Sequence, residues 1–144
     1  IGKDQKGITA IHSVGTTDQH SQLQLYLDGP RDKFFTFITT DHLKKGLKIN
    51  SDIMHSENMD YLSNKKMGDL MHAEQQATVD TFKINSFQFR EIFIPKINEF
   101  YLGSLMAMSI IETVFSCIYF EVNAFDQPAV EYGKKLAIKY LNDN

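Results

Sequence analysis

His20, Gln127 and Lys134 are the residues whose types and positions could do chemistry in this 144-residue chain. Thr16, Thr17 and Asp18 are good helix N-cap types, so a helix from about Gln19 to Leu27 would place His20 in its first turn. There the positive end of the helix dipole disfavours imidazolium. A neutral imidazole near pH 7 can take and return a proton. Lys134 lies seven residues after Gln127, two helical turns, so both side chains leave nearly the same face. A helix starting against a pocket could then set an amide near its rim and an ammonium deeper in. Taken singly, each has a plainer explanation. His20 could simply pack on Leu23 and Leu27, and Lys134 could be one more solvated lysine.

The remaining reactive side chains say less. His12, His42, His55 and His72 show neither metal-ligand spacing nor partner cysteines, and read as surface or structural residues. No metal and no cofactor is expected: the chain has no Gly-rich phosphate loop and no dinucleotide fingerprint. Cys117 is the single cysteine, so no disulfide can form within the chain. Its apolar surroundings suit a buried, inert thiol, and a reducing, cytoplasmic setting follows.

The elements that must position these residues alternate between helix and strand, which makes the fold class α/β. Residues 1–18 read as extended or irregular chain, with a polar turn over Lys3–Gly7. Asp28-Gly29-Pro30 stops the helix that carries His20. Phe34–Thr40 is aromatic and β-branched, as a buried strand would be. Residues 41–63 form a polar excursion, and a helix follows from about Lys65 to Asp80 with Met67, Leu70, Met71 and Ala77 on one stripe. Phe87, Phe89, Glu91 and Phe93 alternate with Gln88, Arg90, Ile92 and Ile94, a period of two that Pro95 ends. A last helix runs from Pro128 to about Asn142, with proline tolerated in its first turn. On it Glu131 reads as a residue that orients the helix or pairs with Lys135 at i,i+4.

Asn98–Phe120 approaches the length of a membrane span. Glu112 near its middle, Ser104, Ser109, Ser116 and the lack of flanking basic clusters argue against one. A helix buried all round in a larger α/β domain fits better. Hydrophobic residues make up 42% and charged residues 23%, with a net charge of −3, as in ordinary globular proteins. A pI near 5.9 gives no electrostatic reason to expect nucleic acid or an acidic membrane as partner.

Two segments carry more information than any of these features. One is Gly15-Thr-Thr-Asp18-Gln19-His20-Ser21, continuing to Pro30; the other is Asn123-Ala-Phe-Asp126-Gln127-Pro-Ala-Val130-Glu131-Tyr-Gly133-Lys134. Together they resemble the phosphoglucose isomerase family, with its Gly-Thr-x-x-Gln-His segment and its C-terminal Phe-Asp-Gln-x-x-Val-Glu-x-Gly-Lys signature. The order is right, and the intervening chain also looks like that family. The resemblance implies that residues 1–144 are a C-terminal piece of the second sugar-isomerase (SIS-type) domain, an α/β/α sandwich, with the signature helix at 128–142. It implies interconversion of glucose 6-phosphate and fructose 6-phosphate, in glycolysis and gluconeogenesis, through ring opening and a cis-enediol. His20 would assist ring opening, reaching the neighbouring subunit's site; Lys134 would act at the ring oxygen; Gln127 would contact substrate. A homodimer with a sugar phosphate as its small-molecule partner follows, and neither nucleic acid nor a membrane.

The proton transfer between C1 and C2 needs a base. The family uses a glutamate before the Gln-His segment, and residues 1–19 contain none. Its Ser/Thr-rich phosphate loop and its arginine lie further upstream. Ile1 is not a methionine, so preceding sequence is expected, and the piece alone is expected to be inactive and to expose apolar surface that associates. The signature departs modestly from the pattern at Pro128-Ala129, and the short end at Asn144 suggests less subunit-embracing contact. A phosphosugar-binding regulatory domain without turnover is the competing reading, and an interaction protein using the apolar helix is a third. A sensor has no need of a ring-opening lysine, which favours the enzyme.

Overall fold

The computed structural model describes residues 2–50 and 57–143. In chain order its elements are β1 (Gly2–Lys3), β2 (Lys6–Gly7), α1 (Thr17–Ser21), α2 (Leu23–Asp28), β3 (Phe35–Thr40), a 3-10 helix (Glu57–Leu62), α3 (Met67–Ile84), β4 (Phe89–Ile94), α4 (Glu99–Phe120) and α5 (Pro128–Asn142). Helices and strands mix as an α/β chain requires. His55 and part of the polar excursion lie outside the described residues. The chain divides into two compact units, one made of Ile1–Ala10 with Gly103–Asn144, the other of Ile11–Leu102.

The larger unit is built on a crossover. β3 and β4 pair in parallel, from Phe35 opposite Phe89 to Thr40 opposite Ile94. Parallel neighbours need a long connection, and α3 lies within it. Phe35 and Phe37 stand on one face of β3 while Thr36 and Ile38 are exposed on the other. Phe82 of α3 sits against the first pair, with ring centroids 4.7 Å from Phe35 and 5.0 Å from Phe37. It is 1% exposed and is the largest fully buried side chain among the described residues. Thr39, also buried, donates to Glu91 at 2.6 Å across the strand pair.

α3 runs to Ile84, beyond the expected end at Asp80, and the extension is what brings Phe82 onto the sheet. Its start is held by close approach. A Cβ on Gly68 would lie 2.0 Å from the His42 carbonyl oxygen and 2.7 Å from that of Lys45, so only glycine fits there. The Asp69 carboxylate accepts from the backbone N–H of Lys66 at 2.8 Å and from that of Lys44 at 2.9 Å. These two bonds, from Lys66 first, hold its carboxyl below the usual aspartate range.

A depressed carboxylate stabilises the fold fully above its unfolded value of about 4 and loses that contribution as pH falls through the folded value. The Lys44 and Lys66 amide protons should therefore titrate together, at a midpoint below that of an ordinary aspartate, in an NMR pH series. Asp69→Ala should abolish both titrations at once. Independent midpoints would mean that Asp69 does not join the two segments.

A further expectation needs correction. The single helix expected from Gln19 to Leu27 is split into α1 and α2 at Gln22, so His20 lies in the last turn of a five-residue helix. The break falls where the Gln22 carboxamide oxygen accepts from the Ser13 hydroxyl at 2.9 Å and from Tyr26. α4, expected to be buried in a larger domain, has Cys117 as its one buried residue in this chain, in line with the apolar surface expected of the piece alone. Phe100, Met106, Ile110, Phe115 and Tyr119 are each more than half exposed. Among the described residues the strands form only two-stranded sheets, too little to cover a 22-residue apolar helix. By length and composition α4 could cross a membrane, and the core helix of a larger soluble protein passes the same test.

Candidate active site

α5 keeps the boundaries its sequence implies. Pro128 occupies the first turn, where its missing N–H leaves no bond unmade. Gln127 is the N-cap residue and makes no side-chain capping bond, so its carboxamide is not consumed in starting the helix. Lys134 follows two turns in, and its side chain is 63% exposed. Its ammonium donates to the Glu131 carboxylate at 2.6 Å. Glu131 therefore pairs at i,i+3 with Lys134, not with Lys135 as its sequence spacing suggested. Helical geometry puts Glu131 and Lys134 on one face, with Gln127 just outside the helix at its N-cap.

The turn before α5 is anchored by a hairpin at the other end of the chain. β1 and β2 pair antiparallel, with Asp4 and Gln5 at positive φ between them. Lys3 donates to the Asp126 carboxylate and to the Asn123 carbonyl. That bond from Lys3 is the main reason the Asp126 carboxyl lies below its usual range. Lys6 donates to the Phe120 carbonyl at the end of α4, at 2.9 Å. No sequence signal marks these contacts, because the partners lie more than a hundred positions apart.

His20 belongs to the other unit. Its neighbour Gln19 is turned toward α3, donating to the Thr78 hydroxyl at 2.7 Å. His20, one residue on, is exposed. Gln127 and Lys134 thus stand at the start of α5 and two turns into it, while His20 is placed within Ile11–Leu102 by α1.

A cleft of about 450 Å³ opens at the C-terminal ends of β3 and β4, lined by Thr40, Asp41, His72, Gln75, Glu91 and Phe93 among others. Ligands of α/β sheets commonly sit at such strand ends. Its lining holds two carboxylates and offers a phosphate no lysine or arginine. His72 Nδ1 is buried without a hydrogen-bond partner among the described residues. Cys117 is buried and unpaired, as its surroundings suggested.

Comparison with known proteins agrees with the signature segments. The family model of phosphoglucose isomerase matches residues 3–144. The chain is 40% identical over 141 residues to the probable glucose-6-phosphate isomerase of Methanococcus maripaludis, covering 98% of this chain and 31% of that protein. It is 34% identical over 141 residues to the glucose-6-phosphate isomerase of Methanocaldococcus jannaschii, covering 98% and 34%. With the enzyme of Thermus thermophilus the identity is 34% over 135 residues, covering 94% and 32%. The chain spans about a third of the length of the relatives it matches. With the signature on an intact α5 and the match running almost end to end, the chain belongs to the phosphoglucose isomerase family.

Proposed function

We propose that the protein carrying this chain is a glucose-6-phosphate isomerase, interconverting glucose 6-phosphate and fructose 6-phosphate through ring opening and a cis-enediol. The chain supplies the ring-opening part. Lys134 acts at the ring oxygen, Gln127 contacts the sugar, and His20 assists the proton movement, in a site completed by a neighbouring subunit of a cytoplasmic homodimer. The surrounding domain is a sugar-isomerase α/β/α sandwich, of which the parallel β3–β4 pair with α3 is one crossover unit.

The observation that carries this reading is α5, an intact helix that leaves the Lys134 ammonium exposed two turns in and the N-cap Gln127 carboxamide exposed and unused in capping. Family membership and the names of the relatives support it. Residues 1–19 contain no glutamate to serve as the base. A base of that kind contributes about a hundredfold or more to rate.

A coupled assay separates the parts. The full-length protein should turn over in both directions, and the 144-residue chain should be slower by at least about a hundredfold. Family-like turnover by the chain alone would overturn this division of labour. A full-length protein that binds the sugar phosphate without converting it would make it a regulatory binding protein instead.

A further inference from the structure

α5 has no buried residue, so burial does not fix where its first turn points. Nor does a side-chain cap, since Gln127 makes none. What holds the helix start is the turn before it, and the contacts of that turn come from the N-terminal hairpin. Lys6 fixes one end, at the Phe120 carbonyl, where a cation also complements the negative end of α4. Asn123 Oδ1 accepts from the Phe125 N–H at 3.0 Å, closing the turn on itself. Lys3 fixes the other end, at the Asn123 carbonyl and the Asp126 carboxylate.

We propose that Lys3 is a positioning residue for ring opening: from β1 it clamps the Asn123–Asp126 turn and so sets where α5 presents Gln127 and Lys134. The inference rests on the reading of α5 given above. It also gives the aspartate of the Phe-Asp-Gln segment a task of its own. Asp126 receives the clamp, one residue before the amide that meets the sugar. The Lys3 side chain is 18% exposed against 53% for Asp126, so the lysine is the more confined partner. A lysine loses considerable rotamer freedom when held this way. An ordinary surface pair would contribute little to stability, so the effect of this one is expected in the geometry of the site.

The test compares variants of the full-length protein on two substrates, the closed-ring hexose phosphate and a four-carbon aldose phosphate, which is too short to close a ring. Misplacing a substrate-positioning group by about 1 Å can cost up to about a hundredfold. A loosened turn should cost about tenfold in kcat/KM on the closed ring. Lys3→Ala and Asp126→Asn should each show that loss, with a clearly smaller one on the acyclic substrate. Lys3→Arg should restore most of it, and the double variant should be no worse than either single one.

Closed-ring kinetics unchanged in Lys3→Ala would overturn the proposal, as would equal losses on both substrates, no rescue by arginine, or additive losses. Should Lys3→Ala fail to fold, the isosteric Asp126→Asn carries the same comparison. Lys134→Ala, run alongside, separates the two layers of the argument. If it leaves closed-ring turnover intact, the reading of α5 fails and the clamp's role with it. If it abolishes closed-ring turnover while Lys3→Ala does not, the clamp alone is wrong.

Discussion

Lys134→Ala in the full-length protein should lower kcat/KM on closed-ring glucose 6-phosphate by about a hundredfold, in the range expected for a positioned proton donor. Turnover of an acyclic aldose phosphate should stay within about twofold, because nothing there waits on a ring oxygen. The structure makes the lysine available for this task. Its side chain is 63% exposed, and its ion pair with Glu131, at 2.6 Å, is itself exposed. Such a pair is worth about 1 kcal/mol or less. Turning the ammonium from Glu131 toward a sugar oxygen therefore costs little, and a charge-assisted bond replaces the one given up. His20→Asn probes the same step independently, and should also act on the closed ring more than on the acyclic substrate. If Lys134→Ala slows both substrates equally, its effect is on binding or folding and its ring-opening role falls. If His20→Asn changes neither, His20 leaves the catalytic set.

How far these parts could be read from sequence depends on the range of the interactions behind them. α5 was legible because Pro128 marks its start and its signature is local. β4 was legible because aromatic and β-branched residues lead up to Pro95, although its burial does not keep the expected period of two. Other choices left no such trace. Glu131 had Lys134 and Lys135 both within helical reach, and only the side-chain conformation selects the first. The hairpin strands β1 and β2 are two residues each, too short to show a period. Their lysines find partners at Phe120, Asn123 and Asp126, at the far end of the chain. α4 depends on something outside this chain. An apolar helix reads as buried, but burial depends on what surrounds it, and this chain is about a third of the relatives' length.

The far end of α3 shows the same limit, and it carries the largest stability effect expected in the chain. Asp80, Thr81 and Lys83 make the sequence look as if the amphipathic stripe has ended, yet Phe82 between them is 1% exposed. Its ring meets Phe35, Phe37 and Phe87 with centroids 4.7, 5.0 and 5.1 Å away. These contacts join α3 to β3 and to the entry of β4. Phe82→Ala should therefore destabilise by about 3–5 kcal/mol, combining lost apolar burial with a cavity that edge-on neighbouring rings cannot fill. Phe82→Leu keeps much of the volume and should cost about 1.5 kcal/mol or less. Phe34→Ala, at a position 61% exposed beside the same strand, should stay within about 0.5 kcal/mol. Denaturant unfolding of the three variants orders them directly. A Phe82→Ala shift no larger than that of Phe34→Ala would mean that the strand pair is not held by α3. The crossover would then be held elsewhere, and the ring cluster would be a consequence of folding instead of its cause.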